Sequence, residues 1–346
     1  MILSRNSIAA LLPTLLLLSA CDKSVESVVD DQAPKGLDKA WATFAKATRS
    51  TDVDTWDMYD QIGISMCYHC PESHPEAQEH AGIYYDPHDQ VTPFNCCYYT
   101  TTAGSSEFTY YGPQHRIWFP TDSTTVDFVS YYPYSDQLTQ ASHQYPIDLS
   151  QQTTSGKPLS AYDLMWGSIK GLDKANTAVV IPFYHQLTQV ICYIKPIGDL
   201  TVSELEDATV AISNQKMQAQ MDVLTSQLQY GETTGDLQLM TRLIVVDGDS
   251  CLEAKAIMLP NHPEQNPVAY TPTDDLQASL VHNRHILLYL PSMEGRSLSA
   301  NIKETEFKPG EKHVFRLEAQ VSQLSLLTGE IVEWQTIEHD DVSVID

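Results

Sequence analysis

The chain predicts an all-β protein built as two antiparallel β-sandwich domains in tandem. Its 18 tyrosines and 19 prolines stand among many Thr, Val and Ser residues, a composition of strands and turns. Short apolar segments recur between turn signals such as Asp247-Gly248, Pro260-Asn261 and Pro309-Gly310. No amphipathic helices are interleaved with them, which argues against a parallel α/β sheet. The length of 346 residues suits two domains better than one or three.

The first element is a leader. Arg5 precedes an apolar run from Ile8 to Leu18, the charge-then-core layout of a secretory signal. The run is too short to cross a hydrocarbon core of ~30 Å, which needs about 20 apolar residues. Leu18-Ser19-Ala20-Cys21 closes it with small residues directly before a cysteine, a lipobox. Residues 1–20 are therefore read as a signal peptide and Cys21 as the acylated N-terminus, the sole membrane attachment. Residues 21–36 are polar, contain Pro34 and Gly36, and read as a tether.

Residues 37–170 form the expected N-terminal domain. Leu37, Trp41 and Phe44 sit at helical spacing, while Trp41, Thr43 and Ala45 alternate as in a strand, so this segment stays open. Gln61 to Tyr68 is a strand with Ile62, Ile64, Met66 and Tyr68 on one face and Cys67 on the other. Residues 71–90 read as a long loop. Arg116 to Phe119 and Thr125 to Tyr132 read as strands around the turn Pro120-Thr121-Asp122-Ser123, the second ended by Pro133.

Gly171 to Ala178 is polar and short, the expected linker to a C-terminal domain of residues 179–346. Val179 to Lys195 is the strongest strand signal. Its inward parity changes between Leu187 and Val190, so a bulge is expected near Thr188-Gln189. Further strands are expected at 207–213, 240–246, 253–259, 286–290, 314–321 and 330–334.

Charge and motifs exclude several functions. Twenty basic residues against 45 acidic ones give a net charge of −25, the opposite of a nucleic-acid surface. There is no Gly-x-Ser-x-Gly elbow, phosphate-cradling glycine loop or His-Glu-x-x-His helix. No enzymatic activity, catalytic residue, cofactor or metal is expected. Cys67, Cys70, Cys96 and Cys97 are read as a disulfide-stapled loop of an exported protein, with free thiols and a zinc knuckle as the alternatives. Cys96 and Cys97, being adjacent, would point to opposite faces of a strand and could not both complete one tetrahedral site. His185, between Phe183 and Leu187, is read as a hydrogen-bonded core histidine.

Several segments, in order, resemble the fimbrillin family, the type V pilus subunits of Gram-negative gut and oral bacteria. They are Ile117-Trp118-Phe119-Pro120 with Val126 to Tyr134, then Asp163-Leu164-Met165-Trp166, then Ile181 to Val190. Phe307 to Leu317 leading to Ile331–Trp334 completes the set, and Thr48-Arg49-Ser50 with Asp60 to Ile64 stands upstream. The cysteine- and histidine-rich stretch 67–97 is a departure from the family.

The resemblance implies two transthyretin-like β-sandwiches made as an outer-membrane lipoprotein at the cell surface and assembled into a fimbrium. In that family an arginine-specific protease can remove the N-terminal strand, and a neighbour's C-terminal strand fills the groove. Here the cut would follow Arg49. The donor would be residues 335–346, with Ile337, Val342 and Val344 as the pocket residues. Other fimbrial subunits are the implied partners. A stand-alone surface lipoprotein that binds glycan or a host ligand through exposed tyrosines is the alternative.

Overall fold

The computed structural model describes residues 35–44, 55–69, 94–120, 124–175, 178–246, 248–261, 284–293, 297–302, 306–333 and 343–344. Its first ten strands are β1 (Gly36–Leu37), β2 (Lys39–Phe44), β3 (Gln61–Tyr68), β4 (Cys96–Tyr99), β5 (Glu107–Tyr110), β6 (Ile117–Trp118), β7 (Val126–Tyr132), β8 (Gln144–Asp148), β9 (Met165–Leu172) and β10 (Val179–His185). Seven of them close a barrel in the order β10-β2-β5-β4-β3-β7-β9. The open segment at residue 37 is thus resolved as strands, and Gly36, expected in the tether, is already paired with Trp118.

The second half contains β11 (Thr188–Pro196), the short helix α1 (Val202–Glu206), β12 (Thr209–Lys216), β13 (Gln218–Asp222), β14 (Leu228–Tyr230), β15 (Thr234–Val246) and β16 (Asp249–Met258). It continues with β17 (His285–Tyr289), β18 (Ser297–Asn301), β19 (Glu311–Gln320), β20 (Gln323–Glu333) and β21 (Ser343–Val344). The main sheet runs β18-β17-β12-β15-β16-β11-β19-β20, with β21 added to β15. Helix α1 begins in a capping box: Thr201 and Glu204 satisfy backbone donors that a first turn leaves without partners. The protein is all-β apart from this helix and short 3-10 turns among the described residues.

Two hydrophobic clusters form. Ile62, Ile64, Met66, Tyr98, Phe108, Phe128 and Phe183 fill the barrel. Val190, Ile194, Val210, Leu252, Ile286, Phe307 and Leu317 lie in the other cluster, beneath the large sheet. Of the expected inward face of β3, Ile62, Ile64 and Met66 are buried, whereas Tyr68, at the strand's end, is exposed. The other face of β3 is also buried, because Tyr131 and the segment from Ser135 to Leu138 cover it. Gly63 lies directly under the Tyr131 ring, where an added Cβ would collide with ring atoms.

Three readings change. Residues 179–195 are not one bulged strand: β10 pairs with β2 and β9 in the barrel, whereas β11 pairs with β16 and β19 in the large sheet. The parity change at 188–189 therefore marks a chain passing from one core to the other. Residues 171–178 join β9 to β10, which are neighbours in the same barrel. Strands β6 and β7 do not pair as a hairpin; β6 joins β1, and β7 joins β3 and β9.

Candidate functional site

The N-terminal strand β2 has an unusual seat. It is parallel to β10, from Val179 opposite Ala40 to Phe183 opposite Phe44, and antiparallel to β5, from Thr109 opposite Lys39 to Glu107 opposite Trp41. Its flanking strands come from later in the sequence. Without β2, β5 and β10 would face each other across a gap of one strand, about 9–10 Å from twice the interstrand spacing.

Inward, β2 presents Ala40 and Ala42, both fully buried. Ala40 stands beside Phe108 and Val179, and Ala42 beside Ile181, all fully buried as well. Trp56 closes the end of the seat. Its indole N–H donates to the Ala42 carbonyl at 2.8 Å, and its ring stacks on Phe44 with centroids 4.6 Å apart. Phe108, Tyr132 and Phe183 meet the same indole edge-to-face at 5.2, 5.3 and 5.5 Å. At the other end, the Tyr98 hydroxyl donates to the Leu37 carbonyl at 2.7 Å. The exposed pair Lys39–Glu107, which contributes little by itself, and the half-buried pair Arg116–Asp38 flank the strand.

Beyond Phe44 and Trp56 lies a cavity of about 300 Å³, lined also by Asp60, Tyr132, Asp163 and His185. His185 Nδ1 is 2.8 Å from Asp163 Oδ1. His185 is hydrogen-bonded as expected: a carboxylate on the β8–β9 connection holds it, and its side chain is 10% exposed at the edge of the cavity, while Phe183 lies deeper in the core. Asp60 accepts from the Tyr132 hydroxyl at 3.0 Å and the Asp57 amide at 2.7 Å. Burial outweighs these bonds and raises the Asp60 carboxyl above the ordinary carboxylate value. Neither the Asp163–His185 pair nor the Trp56 anchor was anticipated. Both segments holding the pair, Asp163-Leu-Met-Trp and Phe183-Tyr-His-Gln, had been singled out, but nothing in a linear sequence joins residues 22 positions apart.

The cysteine staple is not formed by the cysteines that are described. Cys96 and Cys97 face Ile64 and Gly63 across the β3–β4 ladder, whereas Cys67 lies opposite Asp127 on β7. Cys67 is three residues past Ile64, about 10 Å along the strand, while a disulfide needs Cα atoms within about 7 Å. Cys67 and Cys97 are buried free thiols, as are Cys192 and Cys251. Burial and, for Cys67, the neighbouring Asp127 push the Cys67 and Cys97 thiols up to about 12. No group of His, Cys, Asp and Glu suited to a metal occurs among the described residues. Cys21, Arg49, Cys70, Ile337 and Val342 lie outside the described residues; Val344 lies on β21, whose backbone pairs with Ile244 of β15.

A separate feature is a row of rings on the barrel surface. Tyr99 and Tyr111 have centroids 5.7 Å apart, Tyr111 and His115 6.3 Å, and His115 and Tyr134 6.3 Å.

Comparison with known families shows that residues 48–334 match the model of fimbrillin-like proteins. The chain belongs to the fimbrillin-like family. This fimbrillin-like chain is 33% identical over 259 residues to the proposed fimbrium subunit Fim1C of Bacteroides uniformis, covering 73% of this chain and 74% of that protein. Its fold is similar to the crystal structure of a proposed cell adhesion protein of Bacteroides uniformis, with a TM-score of 0.60 and 25% identity over 86% of this chain and 98% of the other. A similarly described protein of Bacteroides ovatus shares the fold at a TM-score of 0.57 and 15% identity, covering 87% and 98% of the two chains. The family match starts after β2 and ends where β20 ends.

Proposed function

We propose that this fimbrillin-like protein is a subunit of a cell-surface fimbrium, exported as an outer-membrane lipoprotein acylated at Cys21 and joined to its neighbours by β-strand donation. In this reading cleavage after Arg49 frees β2, the seat of β2 is the acceptor groove, and residues 335–346 are the donor strand, with Ile337, Val342 and Val344 as pocket residues. We further assign two transthyretin-like sandwich domains; the change of sheet between His185 and Thr188 supports a boundary there more than at 171–178.

The observation that carries the proposal is the seat itself. Strand β2 is held by two ladders, two buried alanines and one tryptophan, and the remaining barrel strands are contiguous in the ladder without it. Ladder bonds give a donated strand its register, and alternate side chains give it specificity. Strand β2 and the tail both lie outside the family match, and they are the two segments that donation would exchange.

The test is cleavage of the folded protein with an arginine-specific protease. A cut after Arg49 should let a labelled peptide of residues 35–49 exchange with the resident strand, with a lowered melting temperature whenever the groove stands empty. A cut chain that keeps its melting temperature and exchanges no peptide would refute the acceptor role.

The aromatic row favours one second reading, a platform on which neutral sugars stack. Tyr111 is 57% exposed at its centre. Tyr111→Ala should abolish retention on a glycan array if the row binds sugar, and retention equal to the parent's would exclude it.

A further inference from the structure

We propose that the seat of β2 selects a strand from a different subunit and rejects the tail of its own chain. The inference rests on the acceptor reading above and names the partner class that the groove takes.

Three alternate inward positions define the groove. They are filled by Ala40, Ala42 and Phe44: small, small, aromatic. The two small positions are enclosed. Ala40 lies between Phe108 and Val179 and Ala42 beside Ile181, and every one of these side chains is fully buried. Added methyl groups in a close-packed core force neighbours off their rotamers. The third position needs a large flat group, because Trp56 offers its face there at 4.6 Å. A charge at either alanine position, both fully buried among apolar side chains, would be desolvated without a partner.

The tail reads Gln335-Thr-Ile-Glu-His-Asp-Asp-Val-Ser-Val-Ile-Asp346. Every set of three alternate residues drawn from it contains an Asp, Glu or His. Val342 and Val344 are the one apolar alternate pair, and both are branched where the groove holds alanine. Ser343 and Ile345 come nearest to small-then-large, but Asp341 would then fall on the Ala40 position. Running the strand in the opposite direction does not help: Val342 would replace Phe44, Val344 would replace Ala42, and Asp346 with its terminal carboxylate would replace Ala40. In every register the tail therefore mismatches the groove of its own chain at one inward position or more. Donation has to be heterologous, with this tail entering another kind of groove and this groove receiving another kind of strand.

The experiment uses the full mature chain cut after Arg49 and three fluorescent peptides, read by anisotropy. They are residues 35–49, the same peptide carrying Ala40→Val and Ala42→Val, and residues 335–346. The first should bind saturably, the second at least 10-fold more weakly, and the third without saturation. The cut chain alone should stay monomeric by native mass spectrometry. A tail peptide within 10-fold of the first peptide, or a homopolymer of the cut chain, overturns the inference while leaving the acceptor reading intact. Failure of all three peptides overturns the acceptor reading, and this inference falls with it.

Discussion

Replacing Trp56 by Ala should loosen β2 more than any other strand of the barrel. Truncating a buried Trp to Ala costs about 3–5 kcal/mol in total, and Trp56 is 3% exposed. Only part of that loss falls on β2. The stack on Phe44 is one component, about 0.5–1.5 kcal/mol for an aromatic pair. The indole N–H bond to the Ala42 carbonyl is the other, about 0.5–1.5 kcal/mol net. Together they amount to about 1–3 kcal/mol specific to the strand, an increase of about 5–150-fold in its local opening. Native-state hydrogen exchange reads this directly. The Ala42 amide, which donates to the Ser106 carbonyl at 2.9 Å, should gain that factor over amides of β3 and β7, which lie across the barrel. Trp56→Phe keeps a ring and removes the donor, so it should reproduce only the hydrogen-bond share. Uniform acceleration of β2, β3 and β7 in Trp56→Ala would show that the indole stabilises the barrel as a whole and does not anchor the strand.

Further outcomes can be checked independently. Cys21→Ser should release the protein from the membrane fraction or leave its precursor uncut; fractionation equal to the parent's would refute acylation at that residue. Cys67 and Cys97, pushed up to about 12, and Cys251, pushed up to about 11, should resist iodoacetamide at pH 8 until denaturant is added, whereas rapid labelling of the native protein would contradict their burial. The Asp60 carboxyl is raised in the folded state, so the fold binds its proton more tightly than the unfolded chain does. Its contribution is therefore fully present below about 3.8 and is lost as pH rises through the folded value. Asp60→Asn should flatten that segment of the stability–pH curve measured by urea titration, and an unchanged slope would refute the assignment.

The cysteines and the handover between β10 and β11 show how far the sequence reached. An apolar run with a parity change at Thr188-Gln189 was visible as a run, because alternation is a property of neighbouring residues. A bulge and a passage between two sheets produce the same change of parity. Only the partners, Ala40 and Gly167 on one side and Ala254 and Phe315 on the other, distinguish them. Likewise, Cys67, Cys96 and Cys97 looked close because they crowd a stretch of sequence. The ladder sets their spacing at 3.3 Å per residue and so keeps Cys67 apart from the other two.

By itself the sequence determined the all-β class, the inward positions Ile62, Ile64 and Met66 of β3, the end of β7 at Pro133 and the family to which the chain belongs. These depend on local alternation, on turn residues and on the order of short motifs, all of which a linear string carries. The tertiary structure alone decided that Lys39–Phe44 is a strand and that it lies between β5 and β10. It also set Trp56 against Phe44 and Asp163 against His185. Two alanines and one aromatic carry almost no intrinsic signal. Their conformation follows from the shape of the gap they fill, and that gap exists only once strands far along the chain have closed around it.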